Sequence, residues 1–110
     1  MFPPPVPSVN PDGISADAVI LDVREPDEWQ AGHVQGAVYI PLADLPARLN
    51  ELSPDDRIVV ICRSGARSGR AVAWLNQNGF DVLNVDGGMV AWAASGQEMV
   101  SETGEAPAVR

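Results

Sequence analysis

Four consecutive β-branched aliphatic residues, Ile58-Val59-Val60-Ile61, lead straight into Cys62, the one cysteine of the chain. An unbroken Val/Ile run has no polar alternate face, so it fits a strand covered on both sides, as in a parallel sheet packed between helices. A short polar stretch follows, Arg63-Ser64-Gly65-Ala66-Arg67-Ser68, and then a segment of helical period from Gly69 to Asn78. Strand, tight loop and helix in that order aim loop N–H groups and a helix N-terminus at one point, where anions are held. A thiol at that point reads as a nucleophile, against the alternative of an inert buried cysteine.

The remaining segments supply the rest of such a sheet. Val6 to Val9 fits at best a short edge strand, and Asn10-Pro11-Asp12-Gly13 is a turn signal. Ala18 to Val23 predicts a buried strand, Glu25 to Ala31 a short helix with acids in its first turn, and Ala37 to Ile40 a short strand stopped by Pro41. Leu45, Leu49 and Leu52 stand at helical spacing and predict an amphipathic helix over 43–52, with Pro46 in its first turn. Phe80 to Val85 predicts the last strand, closed by Asp86-Gly87-Gly88, and Met89 to Ala94 a final short helix. Strands alternating with helices give an α/β domain whose mostly parallel sheet is covered on both faces.

A chain of 110 residues makes one domain. It is expected over 6–100, between a flexible proline-rich segment at 1–5 and a disordered tail at 101–110. Ligands of such sheets bind at the carboxyl ends of the strands. Those ends carry Asp22-Val23-Arg24, Tyr39-Ile40-Pro41, Cys62-Arg63-Ser64-Gly65 and Asp86-Gly87-Gly88.

Charge narrows the ligand. Seven Arg and no Lys against fifteen acids leave a net charge of −8, which disfavours nucleic acid and anionic membranes. Yet Arg63, Arg67 and Arg70 all fall within eight residues after Cys62, so the site suits a small anion. No apolar run approaches the ~20 residues of a membrane span. The start of the chain has no basic or apolar region of a signal peptide, so the cytoplasm is the expected location. A lone cysteine leaves no internal disulfide and no cysteine-cluster metal site.

A free thiol ionises near pH ~8.5. A helix N-terminus supplies only ~0.3–1 kcal/mol, which at ~1.36 kcal/mol per pH unit lowers that midpoint by less than one. The flanking arginines and converging N–H groups are expected to contribute the rest. An unpaired Asp22 would oppose ionisation, so Asp22 is expected to be neutralised by an arginine, with Arg24 its neighbour on the rim. Direct contact of Arg24 with substrate is the alternative. His33 could form a Cys–His dyad, but Gly32-His33-Val34-Gln35-Gly36-Ala37 reads as a turn into a strand and His33 as structural. Trp29, Trp74 and Trp92 read as core aromatics, Met89 as core in preference to pocket lining, and Arg70 as a surface residue.

Four motifs in order resemble a known family: Leu21-Asp22-Val23-Arg24-Glu25 with Trp29; Gly32 to Ala37; Cys62 to Ser68; and Asp86-Gly87-Gly88 with Ala91-Trp92. Across about residues 6–98 the chain resembles a single-domain rhodanese, a sulfurtransferase. The resemblance implies a three-layer rhodanese-like domain with a mostly parallel five-stranded sheet flanked by helices. It also implies that Cys62 to Arg67 form the active loop. Cys62 would take the outer sulfur of thiosulfate or a similar anionic donor as a persulfide and pass it to a thiol of a small molecule or protein. Arg63 and Arg67 would bind the sulfonate, and the N–H groups of Ser64, Gly65, Ala66 and Arg67 would cradle the terminal sulfur. Asp22, Arg24 and Ser68 would support the loop, and no metal or organic cofactor is implied. Two other readings are a non-catalytic sulfur-carrier or regulatory module, and a phosphatase or arsenate reductase. The last is disfavoured because those loops are one residue longer, whereas here Arg67 is the fifth residue after Cys62 and Ser68 the sixth.

Overall fold

The computed structural model describes residues 6–110; the expected flexible segment at 1–5 lies outside the described residues. Five strands form one sheet: β1 (Ser8–Val9), β2 (Val19–Asp22), β3 (Val38–Tyr39), β4 (Ile58–Ile61) and β5 (Leu83–Val85). Their spatial order is β1-β5-β4-β2-β3 and every pairing is parallel. All four residues of β4 are buried, and it pairs along its whole length with β2, from Val19 beside Ile58 to Asp22 beside Ile61.

The two-residue period of β4 divides the core. Ile58, Val60 and Cys62 face one side, with Leu21, Val23, Ala71, Val72 and Leu75. Val59 and Ile61 face the other, with Val34, Val85, Met89 and Trp92. Helix α2 (Ala66–Gln77) covers the first face, and α3 (Gly88–Ala94) covers the second. The short helix α1 (Pro26–Ala31) lies between β2 and β3 in sequence. The architecture is therefore a three-layer α/β domain with a five-stranded parallel sheet.

Four local expectations are corrected. The amphipathic helix expected over 43–52 is two tighter 3-10 stretches, Leu42–Asp44 and Pro46–Glu51, and Arg48 departs from helical geometry at φ −113°. Pro46 has no N–H to continue an α-helical ladder, and Leu45 instead donates to Leu42, three residues back. Leu45 is nonetheless buried and Leu49 packs on the core, so the apolar face survives the change of helix type.

The last strand begins at Leu83 instead of Phe80. Asn76 of α2 accepts from the N–H of Val82 (2.8 Å) and donates to its carbonyl (3.3 Å), tying that segment to the helix in place of the sheet. Helix α2 begins at Ala66 instead of Gly69. Gly65 turns the chain at φ +113°, a left-handed conformation that side chains disfavour, so the reversal is complete within two residues of Arg63.

Residues 101–110, expected to be a disordered tail, lie against α1. Glu102 donates to the carbonyl of Gln30, Ala108 to that of Ala31 (both 2.9 Å), and Val109 packs on the second core. The carbonyls of the last helical turn have no partners inside the helix, and the tail's N–H groups supply them.

Candidate active site

Cys62 follows β4 at the carboxyl edge of the sheet, and it is 1 % exposed. Its sulfur accepts the N–H of Gly65 at 3.1 Å and lies 3.2 Å from Ser68 Oγ. Burial pushes the thiol up. The Ser68 hydroxyl, and then the N–H groups of Ser68, Gly65 and Ser64, pull it down by more, so it ionises below the ordinary cysteine range. The first N–H groups of α2 have no acceptor within the helix, and this leaves them free for the sulfur.

Ser68, placed among the supporting residues, thus touches the sulfur directly. Its hydroxyl also lies 2.5 Å from Asn84 Oδ1, whose orientation is fixed because Asn84 Nδ2 donates to the carbonyl of Gly65 at 3.1 Å. A hydroxyl has one proton and serves one acceptor at a time. In the neutral thiol, S–H can donate to Ser68, which donates on to Asn84; in the thiolate, the Ser68 proton turns to the sulfur.

The arginines do not converge on the thiol as expected. Arg63 is exposed, and its Nε donates to the backbone oxygen of Arg110 at 3.2 Å. Arg67 is drawn to α1, where its two terminal nitrogens donate to the two oxygens of Glu28 at 2.7 and 2.8 Å. This pairing raises Arg67 and holds Glu28 below the usual glutamate range, because Arg67 donates to it. Arg70 is exposed one turn further along α2. Ser64 and Ala66 are exposed around the mouth, with Gly65 half-buried between them. Hydrogen bonding, more than cationic charge, lowers the thiol.

Asp22 and Arg24 form a pair with no exposure on either side chain, closed by contacts of 2.8 to 3.1 Å. Arg24 also donates to the carbonyls of Gly32 (2.7 Å) and Glu28 (3.3 Å), fixing α1 against the end of β2. Arg24 is fully buried and its guanidinium is engaged by these partners. His33 forms no pair with Cys62. Its Nδ1 meets the carbonyl of Trp29 at 2.9 Å, Nε2 lies 3.5 Å from Glu102, and its ring stacks on Trp29 at 3.6 Å.

Behind the loop, Gly88 lies against the backbone of Cys62. A Cβ there would sit 2.5 Å from the carbonyl oxygen of Cys62 and 2.6 Å from that of Arg63, and Gly88 has φ +58°. Met89 is fully buried and does not line the mouth. Among the described residues no group of three His, Cys, Asp or Glu is placed to hold a metal, and no helix is long and apolar enough to cross a membrane.

Two residues of the hydrogen-bond network around the site escaped the sequence. Asn84 had a signal, a polar side chain inside the apolar run Val82 to Val85. Glu28 had none that separates it from Glu25 and Asp27, because its partner lies thirty-nine residues away.

Known proteins resemble this chain over most of its length. The rhodanese-like domain family matches residues 11–95. A sulfurtransferase of Allochromatium vinosum is 40% identical over 89 residues, 80% of this chain and 83% of that one. The thiosulfate sulfurtransferase GlpE of Pseudoalteromonas translucida is 38% identical over 85 residues, 76% of this chain and 81% of that one. The crystal structure of a rhodanese-related protein from Thermoplasma volcanium superposes with a TM-score of 0.82 at 33% identity, covering 86% of this chain and 97% of that one.

Proposed function

The chain belongs to the rhodanese-like domain family, and from that premise we propose that it is a sulfurtransferase working through a persulfide on Cys62. The reading rests on one observation above the others: the chain's only thiol lies in a cradle of N–H and hydroxyl donors that favours its ionised form.

The Cys62 thiolate attacks the terminal sulfur of a small anionic donor such as thiosulfate. A new S–S bond forms, the donor's S–S bond breaks, and its electron pair leaves with sulfite. The N–H groups of Ser64, Gly65, Ala66 and Arg67 then hold the anionic terminal sulfur, as donors preorganised for charge that appears during reaction. Arg63 stands at the mouth for the sulfonate, while Arg67 must share its hydrogen bonds with Glu28 to do so. A thiol or cyanide attacks the outer sulfur in a second step and restores the thiolate, giving ping-pong kinetics. A lone free thiol suits a reducing compartment such as the cytoplasm.

Incubation with thiosulfate followed by intact-mass measurement tests the proposal. The protein should gain one sulfur atom, cyanide should remove it, and Cys62→Ser should gain none. Failure to load, with no turnover, would leave a binding or regulatory module instead.

A further inference from the structure

On the sulfurtransferase reading above, the sulfur that Ser68 touches changes its charge during turnover. In the thiolate the charge sits on Cys62 Sγ. In the persulfide it sits on the outer sulfur, and Sγ becomes an uncharged divalent atom that accepts hydrogen bonds poorly. We infer that Asn84 is a positioning residue for sulfur transfer: by competing with Cys62 for the Ser68 proton, it favours the sulfur-loaded protein over the free thiolate.

The backbone of Asn84 is fixed within the sheet. It pairs with Ser8 of β1 on one side and Val60 of β4 on the other, and its N–H donates to the carbonyl of Pro7 at 2.8 Å. The residue is buried, and its amide reaches α2. There Nδ2 donates to the Gly65 carbonyl, and Oδ1 faces Ser68, its one donor among the described residues. The fully buried Ser68 hydroxyl meets two acceptors, Cys62 Sγ at 3.2 Å and Asn84 Oδ1 at 2.5 Å, with a single proton to give.

The three states of the sulfur divide that proton differently. In the thiol, S–H donates to Ser68 and Ser68 to Asn84, so every group is satisfied. Ionisation turns the Ser68 proton to the sulfur and leaves a buried amide oxygen without its donor, which costs free energy. Loading reverses this. The thiolate bonds to the outer sulfur of thiosulfate, sulfite leaves with the electron pair of the broken S–S bond, and the charge moves outward to the loop N–H groups. The Ser68 proton then returns to Asn84. Asn84 therefore draws Cys62 away from the thiolate, toward the thiol on one side and the persulfide on the other.

The charged groups nearby do not share in this exchange. Arg24 is held by Asp22 and Arg67 by Glu28. Arg63, Arg70 and Asp86 are exposed, and neither β1 nor α3 carries a charged side chain.

Asn84→Leu removes the competing acceptor, and the sign of its effect is diagnostic. A residue that only shaped the loop would, once lost, slacken the N–H cradle and raise the pH midpoint of Cys62 alkylation. Competition for the proton gives the reverse. The midpoint should fall by about 0.7, a fivefold change in the equilibrium constant and the scale of one hydrogen bond between neutral groups. In a Ser68→Ala background the same substitution should move it by less than about 0.2. At a pH above both midpoints, intact-mass measurement in mixtures of thiosulfate and sulfite reads the loading equilibrium, whose constant should be about fivefold lower in Asn84→Leu. A raised midpoint, an equal shift with and without Ser68, or an unchanged loading equilibrium would overturn the assignment.

A measurement on the unaltered protein does not depend on any variant folding. The carbon-13 resonance of the Asn84 side-chain carbonyl should move as Cys62 ionises, and should return toward its low-pH position when thiosulfate loads the protein at high pH. A resonance that ignores the titration, or that stays displaced after loading, would overturn the inference. If thiosulfate leaves no sulfur on Cys62, the sulfurtransferase reading falls and this inference with it. If sulfur loads and Asn84 does not respond, only the inference falls.

Discussion

The N–H of Met89 donates to the carbonyl oxygen of Cys62 at 2.8 Å, and the next N–H, from Val90, donates to the carbonyl of Arg63 at 3.0 Å. The start of α3 therefore braces the backbone that carries the thiol, from the side opposite α2. Gly88 permits this contact, since a Cβ would lie 2.5 Å from the Cys62 oxygen. Gly88→Ala is expected to destabilise the fold by more than the ~1–2 kcal/mol of left-handed strain alone and to slow thiol alkylation. Thermal melting and iodoacetamide kinetics measure the two effects.

Ser68→Ala removes a hydroxyl that lies against the sulfur and leaves burial to oppose ionisation with fewer counterweights. The midpoint of Cys62 alkylation should move to a pH about 1 higher, the lower end of a charged hydrogen bond, because Asn84 competes for the same proton. The wild-type midpoint should fall below that of a free cysteine, since the lowered thiol is already ionised where an ordinary one is not.

Asp22→Ala leaves the Arg24 guanidinium buried without its carboxylate. A loss of about 3–5 kcal/mol is expected, read from the urea midpoint. The exposed pair of Arg48 and Glu51 has the same chemistry at 2.8 Å, and Glu51→Ala should leave the midpoint nearly unchanged. Burial, not distance, separates the two outcomes.

Glu28 is held below its ordinary value of 4.5 by Arg67, so its pairing stabilises the folded chain fully above that pH. The contribution is lost as pH falls through the depressed folded value, where Glu28 takes up a proton. Glu28→Gln should cost about 1–2 kcal/mol at neutral pH. The gap between variant and wild type, followed by denaturation from about pH 7 to about pH 3, should stay level down to the mid-fours and then close.

Much of the sheet was legible because a buried parallel strand leaves a direct trace: Ile58 to Ile61 admit no solvent face. The strand-end cysteine and the acidic start of α1 were legible for similarly local reasons, whereas the helix was expected only from Gly69 because the turn at Gly65 was not read. The grip of Glu28 on Arg67 was not, because it depends on how α1 and α2 meet across the rim. Asn84 announced itself as a polar residue in an apolar strand, but what it would touch depended on the side chains of α2. The helix expected over 43–52 failed on chemistry visible in advance, since Pro46 removes an N–H from the ladder; the leucine spacing outweighed it. The tail was misjudged because backbone N–H groups, which every sequence has, make its contacts with α1.

The pairing of β1 with β5 joins residues 8 and 9 to residues 84 and 85, near opposite ends of the chain. On the ribosome, β2, β3 and β4 emerge long before the partner β1 requires, and domains complete themselves as units during synthesis. Asn84 and Gly88 leave the exit tunnel after Cys62 does, so a nascent chain displays its cysteine loop before the residues that brace it from the other side. Until they follow, the carbonyls of Cys62 and Arg63 lack the N–H groups of α3, and the loop has only its own helix to shape it.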